Sequence, residues 1–228
     1  MQTEIYSIEE RDFVIRPDTT DKQVVDEIWR GGIYNFLEPQ PGDFIFDFGG
    51  HIGVAASWFA HHGAKVYSFE PIPDNYNLFV QNTDGLEQVY ANNFPAMYKH
   101  DWYKLAKHPK RDNHHASYSV LHAQYNDDVI YAPSIALDVV FSSPLALLHD
   151  GPKKIKLDTE GAEYDHLLAG PTPWLDDIDR MFIEFHVYHE SMMSYYNAAI
   201  KTLESHFPNV KTPPRDKLYR LLDVHCWR

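Results

Sequence analysis

The chain has 228 residues, enough for one α/β domain with a large buried core. Its composition, 44% apolar and 23% charged, is that of a globular protein, and no apolar run approaches the ~18–20 residues that span a bilayer. A formal charge of −13 argues against a nucleic-acid partner, because an acidic surface repels phosphate backbones.

The first residues, MQTEIYSIEERDF, are polar and acidic, unlike a signal peptide. The single cysteine, Cys226, excludes an internal disulfide and suits a reducing cytoplasm, the expected location. FVIRP (13–17) alternates like a short strand ended by Pro17. Val24, Val25, Ile28 and Trp29 then fall at helical spacing behind a capping-type Thr-Asp, and Gly31-Gly32 stops the helix. After the PQPGD turn, FIFDF (44–48) is almost wholly apolar, as a parallel strand buried on both faces should be. A helix over 54–63, a strand over 65–70, a helix over 73–82 with Pro73 in its first turn, and a strand over 88–92 follow. That alternation marks a parallel α/β sheet.

Residues 97–132 break the rhythm with His, Asn, Lys and Tyr, too long for a simple connection. Their histidines read either as a solvated insertion or as a metal site. Trp102, Tyr103, Tyr118 and Tyr125 read either as platforms for a sugar ring or as cover for the sheet. A short structured piece at 134–141, a strand at 153–158, a helix at 162–170, a strand at 179–187, a helix at 195–207 and a final strand within 217–227 complete the chain. The expected architecture is a single domain over 1–228. Its Rossmann-like sheet is mostly parallel, with an antiparallel C-terminal strand and helices on both faces. Residues 1–42 supply an N-terminal strand and helix, and 97–132 an insertion that shapes a pocket.

The turn DFGGHIG (47–53) lies between a buried strand and a helix, a corner where backbone N–H groups can face a ligand. It has neither the Gly-Lys-Ser/Thr of a phosphate loop nor G-x-G-x-x-G. Asp47 disfavours a pyrophosphate and favours a ligand bearing positive charge. Glu70, at the end of the next strand, is placed to accept the two hydroxyls of a ribose.

The stretch FDFGGHIGVAASWFAHHGAKVYSFEPIPDNYNLFVQN, with RPDTTDKQVVDEIWRGGIY before it and IALDVVF and IKLDTEGAEYDHL after it, resembles the FkbM family of S-adenosylmethionine (SAM)-dependent methyltransferases. The likeness covers most of residues 13–187. It implies the class I methyltransferase fold and O-methyl transfer from SAM, frequently to hydroxyls of sugars or secondary metabolites. It further implies that Asp47, Gly49, Gly50, His51 and Gly53 hold the amino-acid part of SAM, that Glu70 holds its ribose, and that Pro71 and Asn93 meet its adenine side. His51 stands where many members carry a small polar residue, and 97–132 departs from the family pattern.

Two acidic groups complete the candidate site. Asp158 closes a strand and points toward the cleft at the sheet's carboxyl edge, with Glu160 and Glu163 close behind it. A structural reading, acids favouring the first turn of a helix, accounts for Glu163. In MFIEFHV, Glu184 and His186 share one strand face, opposite Met181, Ile183, Phe185 and Val187. The pair either satisfies its own neighbourhood or supplies His186 as general base, oriented by Asp158, Glu160 or Glu184. Those three acids are also the candidate ligands of a divalent cation, Mg²⁺ or Mn²⁺. The leading expectation is thus a SAM-dependent O-methyltransferase with a small-molecule or glycan acceptor and no membrane span. A silent SAM-binding scaffold is the alternative, and a nicotinamide oxidoreductase is disfavoured by the glycine spacing.

Overall fold

The computed structural model describes residues 2–107, 118–119, 129–214 and 220–228. Tyr125, most of the 108–128 stretch and residues 217–219 of the expected last strand lie outside the described residues. The chain opens with a hairpin, β1 (Glu4–Ile8) and β2 (Arg11–Ile15), followed by α1 (Asp21–Trp29). β3 (Phe44–Phe48), α2 (Val54–His61), β4 (Lys65–Phe69), α3 (Pro73–Asn82) and β5 (Val89–Asn92) form the first half of an α/β sheet. Then come β6 (Ala96–Met97), β7 (Trp102–Lys107), β8 (Tyr118–Ser119), β9 (Val129–Pro133), β10 (Ile135–Ala136), α4 (Leu137–Phe141) and α5 (Pro144–Leu147). β11 (Lys153–Leu157), α6 (Glu163–Leu168), β12 (Arg180–Val187), α7 (Met193–His206), β13 (Asn209–Lys211) and β14 (Arg220–Trp227) finish the chain.

The main sheet has seven strands in the order β13-β14-β12-β11-β3-β4-β5. β12, β11, β3, β4 and β5 pair in parallel, and β14 is antiparallel to both β12 and β13. This is the expected Rossmann-like arrangement. Strand order reverses beside β3, between β11 and β4, so the carboxyl ends of these strands open onto a crevice.

The pattern of β3 explains how the sheet is covered. Phe44, Phe46 and Phe48 face one way and pack with Ile155, Ile183, Val140 of α4, Leu167 of α6 and Leu203 of α7. Ile45 faces the other way, into a second core with Val25 and Ile28 of α1, Phe59 of α2, Leu78 of α3 and Phe13 and Ile15 of the hairpin. Each fully buried side chain of this size contributes about 1.5–3 kcal/mol, so a strand apolar on both faces binds two helical layers to one sheet.

The break after β5 is a separate small sheet, β8-β7-β9, antiparallel throughout. Leu105, Ile130 and Ala132 on its inner face pack against Ile72. Trp102 and Tyr131 are on its outer side, 67% and 64% exposed. No helix among the described residues is long and apolar enough to cross a membrane.

Candidate functional site

The turn after β3 is shaped by close packing. Gly49 has φ +90°, and a Cβ there would stand 1.8 Å from the Asp158 carbonyl oxygen. At Gly50 it would meet Ser68 Oγ at 2.5 Å and Phe79 at 2.7 Å. These glycines let β3 turn tightly between β4 and β11. Both donate their N–H to the Phe69 carbonyl, each at 3.0 Å, so those two donors are engaged by the sheet. One turn further on, at the start of α2, Val54 and Ala55 line the cavity.

Glu70 is bound into the same corner. Its Oε2 accepts from the His51 N–H at 2.8 Å and its Oε1 from the Ile72 N–H at 2.8 Å. Burial raises its pKa to about 7 in spite of these bonds. Asn93 lies behind it, donating to the Glu70 carbonyl at 2.9 Å. On the N-terminal side, Arg16 and Asp21, both buried, form a paired bond at 2.8 Å through Nε and Nη2. Arg16 also donates to Asn75 Oδ1 at 2.8 Å and lies 3.1 Å from His51 Nε2. The stretch between β2 and α1 is therefore tied directly to the glycine turn.

Asp47 is fully buried behind the cavity wall. It accepts from Ser68 Oγ at 2.7 Å and pairs with Lys156 Nζ at 3.2 Å. Its charge is balanced inside the core by Lys156, and it does not line the cavity. Lys156 lies directly across the β3–β11 register from Asp47, bonds the Gly49 carbonyl and reaches Asp158 Oδ2 at 3.7 Å. Burial alone would lower its pKa, but Asp47 and Asp158 outweigh that and keep it a cation.

Beyond Lys156 lies an acidic group. Asp158 follows β11, and Glu160 occupies a left-handed conformation, φ 53°, before α6 begins. Glu163, fully buried, closes this loop by accepting from Thr159 N at 2.9 Å, Thr159 Oγ1 at 3.0 Å and Gly161 N at 3.1 Å. On β12, Glu184 and His186 do share a face. His186 is 2% exposed, with Nδ1 at 3.3 Å from Glu163 and Nε2 at 3.4 Å from Glu160 and 3.5 Å from Glu184. Burial would lower the pKa of His186, but Glu163 and Glu160 hold it well above the usual imidazole range. Burial raises Glu184 to about 9, reinforced by Asp158, and Glu160 to about 6. Tyr188 steadies Glu160 with a 3.0 Å hydrogen bond.

One cavity of about 390 Å³ connects these parts. Gly49, Gly50, His51, Glu70 and Pro71 line it, with an apolar wall of Phe69, Ile72, Pro95, Met97 and Leu105. Asp158, Glu160, Glu184 and Lys156 line it as well, together with Gln23, Val24, Glu27, Ile28 and Tyr34. The structure thus brings most of the sequence-predicted residues to one surface. Asp47, Gly53, Asn93 and His186 stand a layer behind it. The sequence reading missed Lys156, Arg16, Asp21 and Asn75. The one available signal was charge placed inside otherwise apolar elements, as in KKIKLD.

A family model described as "Methyltransferase FkbM domain" matches residues 47–212. Among solved structures, a SAM-dependent methyltransferase from Agrobacterium tumefaciens is similar to the chain with a TM-score of 0.50 at 13% identity, covering 100% of this chain and 70% of that one. A precorrin-6y C5,15-methyltransferase from Geobacter metallireducens GS-15 gives 0.48 at 11% identity, covering 92% and 93%. At these identities the likeness is one of fold. No curated protein sequence matches the chain.

Proposed function

Because the chain belongs to the FkbM methyltransferase family, we propose that its cavity binds SAM at the Glu70 end and delivers a methyl group to an acceptor hydroxyl at the Asp158 end. The single observation that carries this reading is the continuity of the cavity from the glycine turn to the carboxylates. Three features suit the cofactor. The Glu70 carboxylate suits two ribose hydroxyls, the wall of Pro71, Ile72, Met97 and Leu105 suits an adenine ring, and the positive end of α2 suits a carboxylate. Bound there, SAM supplies a methyl group on a positively charged sulfur. Asp158 and Glu160 favour that charge, and with Glu184 they lie where the hydroxyl must be aligned.

Transfer to a hydroxyl also requires removal of its proton. His186, buried among Glu160, Glu163 and Glu184 and not part of the cavity lining, is poorly placed to accept it. Glu160 lines the wall with Tyr188 holding its other side, and we assign the proton to Glu160. His186 then acts from behind, in contact with Glu160 and Glu163. The inner face of the β7–β9 sheet, through Leu105, supports a role for residues 97–132 in shaping the pocket. A sugar, glycan or secondary-metabolite hydroxyl fits better than nucleic acid, since the chain carries −13 and the acceptor end is acidic.

The test is incubation with SAM and a panel of hydroxylated small molecules and glycans, followed by mass spectrometry for the gain of one methylene. The expected result is transfer to a hydroxyl acceptor, reduced by about 10²–10⁴-fold in Glu160→Gln while cofactor affinity is unchanged. Transfer undiminished in Glu160→Gln would remove the proton assignment. Methylation confined to nitrogen or carbon would remove the hydroxyl reading.

A further inference from the structure

We propose that Asp158, Glu184 and His186 form a divalent-cation site at the acceptor end of the cavity. The inference rests on the pocket reading above and gives its acidic end a specific ligand. The three residues come from the adjacent carboxyl ends of β11 and β12, and one ligand atom from each lies within 4.8 Å of the others. Among the described residues they are the one such group. Asp158 and Glu184 line the cavity, so an ion held there keeps positions open to the acceptor.

The surroundings of His186 support the assignment. Its Nδ1 faces Glu163 Oε1 at 3.3 Å, and that oxygen is fixed by three further bonds from Thr159 and Gly161. A ligating histidine characteristically gives its second ring N–H to such an anchored carboxylate, which leaves the other nitrogen as donor to the ion. Here that nitrogen, Nε2, faces Glu184 Oε1 at 3.5 Å and Glu160 Oε2 at 3.4 Å. Two carboxylates and one imidazole make a hard, mostly oxygen set that suits Mn²⁺ or Mg²⁺. Once ionised around an ion, the two carboxyl groups match a dication, whereas the neighbouring Lys156 is shared between Asp158 and Asp47. An ion in this place polarises an acceptor hydroxyl and makes its proton easier to pass to Glu160.

The experiment is titration of chelator-treated protein with MnCl2, with free Mn²⁺ read by electron paramagnetic resonance. Binding of S-adenosylhomocysteine is measured on the same sample. The expected result is one tight Mn²⁺ per chain, weakened at least about 10-fold in Glu184→Gln and in Glu163→Gln, which removes the anchored carboxylate behind His186 and keeps the acceptor oxygen that the Thr159–Gly161 loop uses. Asp158→Asn is the second ligand variant if Glu184→Gln does not fold, and each variant is checked by thermal unfolding. Mn²⁺ binding without S-adenosylhomocysteine binding still supports the ion site and counts against the cofactor reading. Absence of Mn²⁺ binding overturns the ion site, even where S-adenosylhomocysteine binds. Mn²⁺ binding equal in wild type and both variants also overturns it, since the ion is then held elsewhere on the acidic surface.

Discussion

Glu70 is where burial and proposed ligand recognition meet most directly. Its carboxyl has a pKa of about 7 in the fold against an ordinary 4.5, because burial outweighs the amides of Ile72 and His51. The sign follows: ionising this buried group becomes costly as pH rises from 4.5 to about 7, so its contribution to the stability of the free protein falls across that window. A ligand that offers two hydroxyl donors favours the ionised form. S-adenosylhomocysteine should therefore bind more tightly at pH 8 than at pH 6, by calorimetric titration. Glu70→Gln should flatten that pH dependence and weaken binding at pH 8 by about 10–100-fold, the scale of a hydrogen bond to a charged group. Equal pH dependence in wild type and Glu70→Gln would contradict the assignment. Glu70 was legible in the sequence because a strand end at a fixed distance from a glycine turn defines its position. Lys156 was not legible as a partner of Asp47, since that pair forms across two strands far apart in the chain.

At the scale of elements, β3 and α3 match their expected limits, 44–48 and 73–82. The reason is local: β3 is an apolar run long enough for one strand, and Pro73 fixes the first turn of α3. β1 was not foreseen, because EIYSI is largely exposed and polar in alternation, and its turn uses Glu9 at φ 52° where a glycine would have signalled the hairpin. Nor was the link from this segment to the site, since it depends on Arg16 and Asp21 meeting His51 and Asn75 in space. Breaking one partner of a buried ion pair costs about 3–5 kcal/mol, so Asp21→Asn should lower unfolding stability by that amount in a denaturant titration. Burial alone would raise the pKa of Asp21, but His51 and Arg16 bring it well below the ordinary 3.8. The stability it contributes is therefore present above that value and is lost as pH falls below it. A variant as stable as wild type at pH 7 would show that the link bears no weight.

For the molecule as a whole, sheet order places the carboxyl ends of β3, β4, β11 and β12 around one crevice, and Leu105 of the small β7–β9 sheet joins its apolar wall. The sequence motifs foretold which strands carry polar groups at those ends. They did not reveal that His186 is enclosed behind Glu184, because strand periodicity gives the face of a side chain but not what the neighbouring loop lays over it. The excess of carboxylates over cations in the cavity follows from the same convergence and makes a positively charged cofactor electrostatically favourable. The central claim is that this cavity is a SAM site, and calorimetric titration of the folded protein with S-adenosylhomocysteine, beside a titration with NAD, tests it most directly. The expected result is saturable binding of one S-adenosylhomocysteine per chain and no binding of NAD. Folded protein that gives no S-adenosylhomocysteine binding, or that binds NAD in its place, would contradict it.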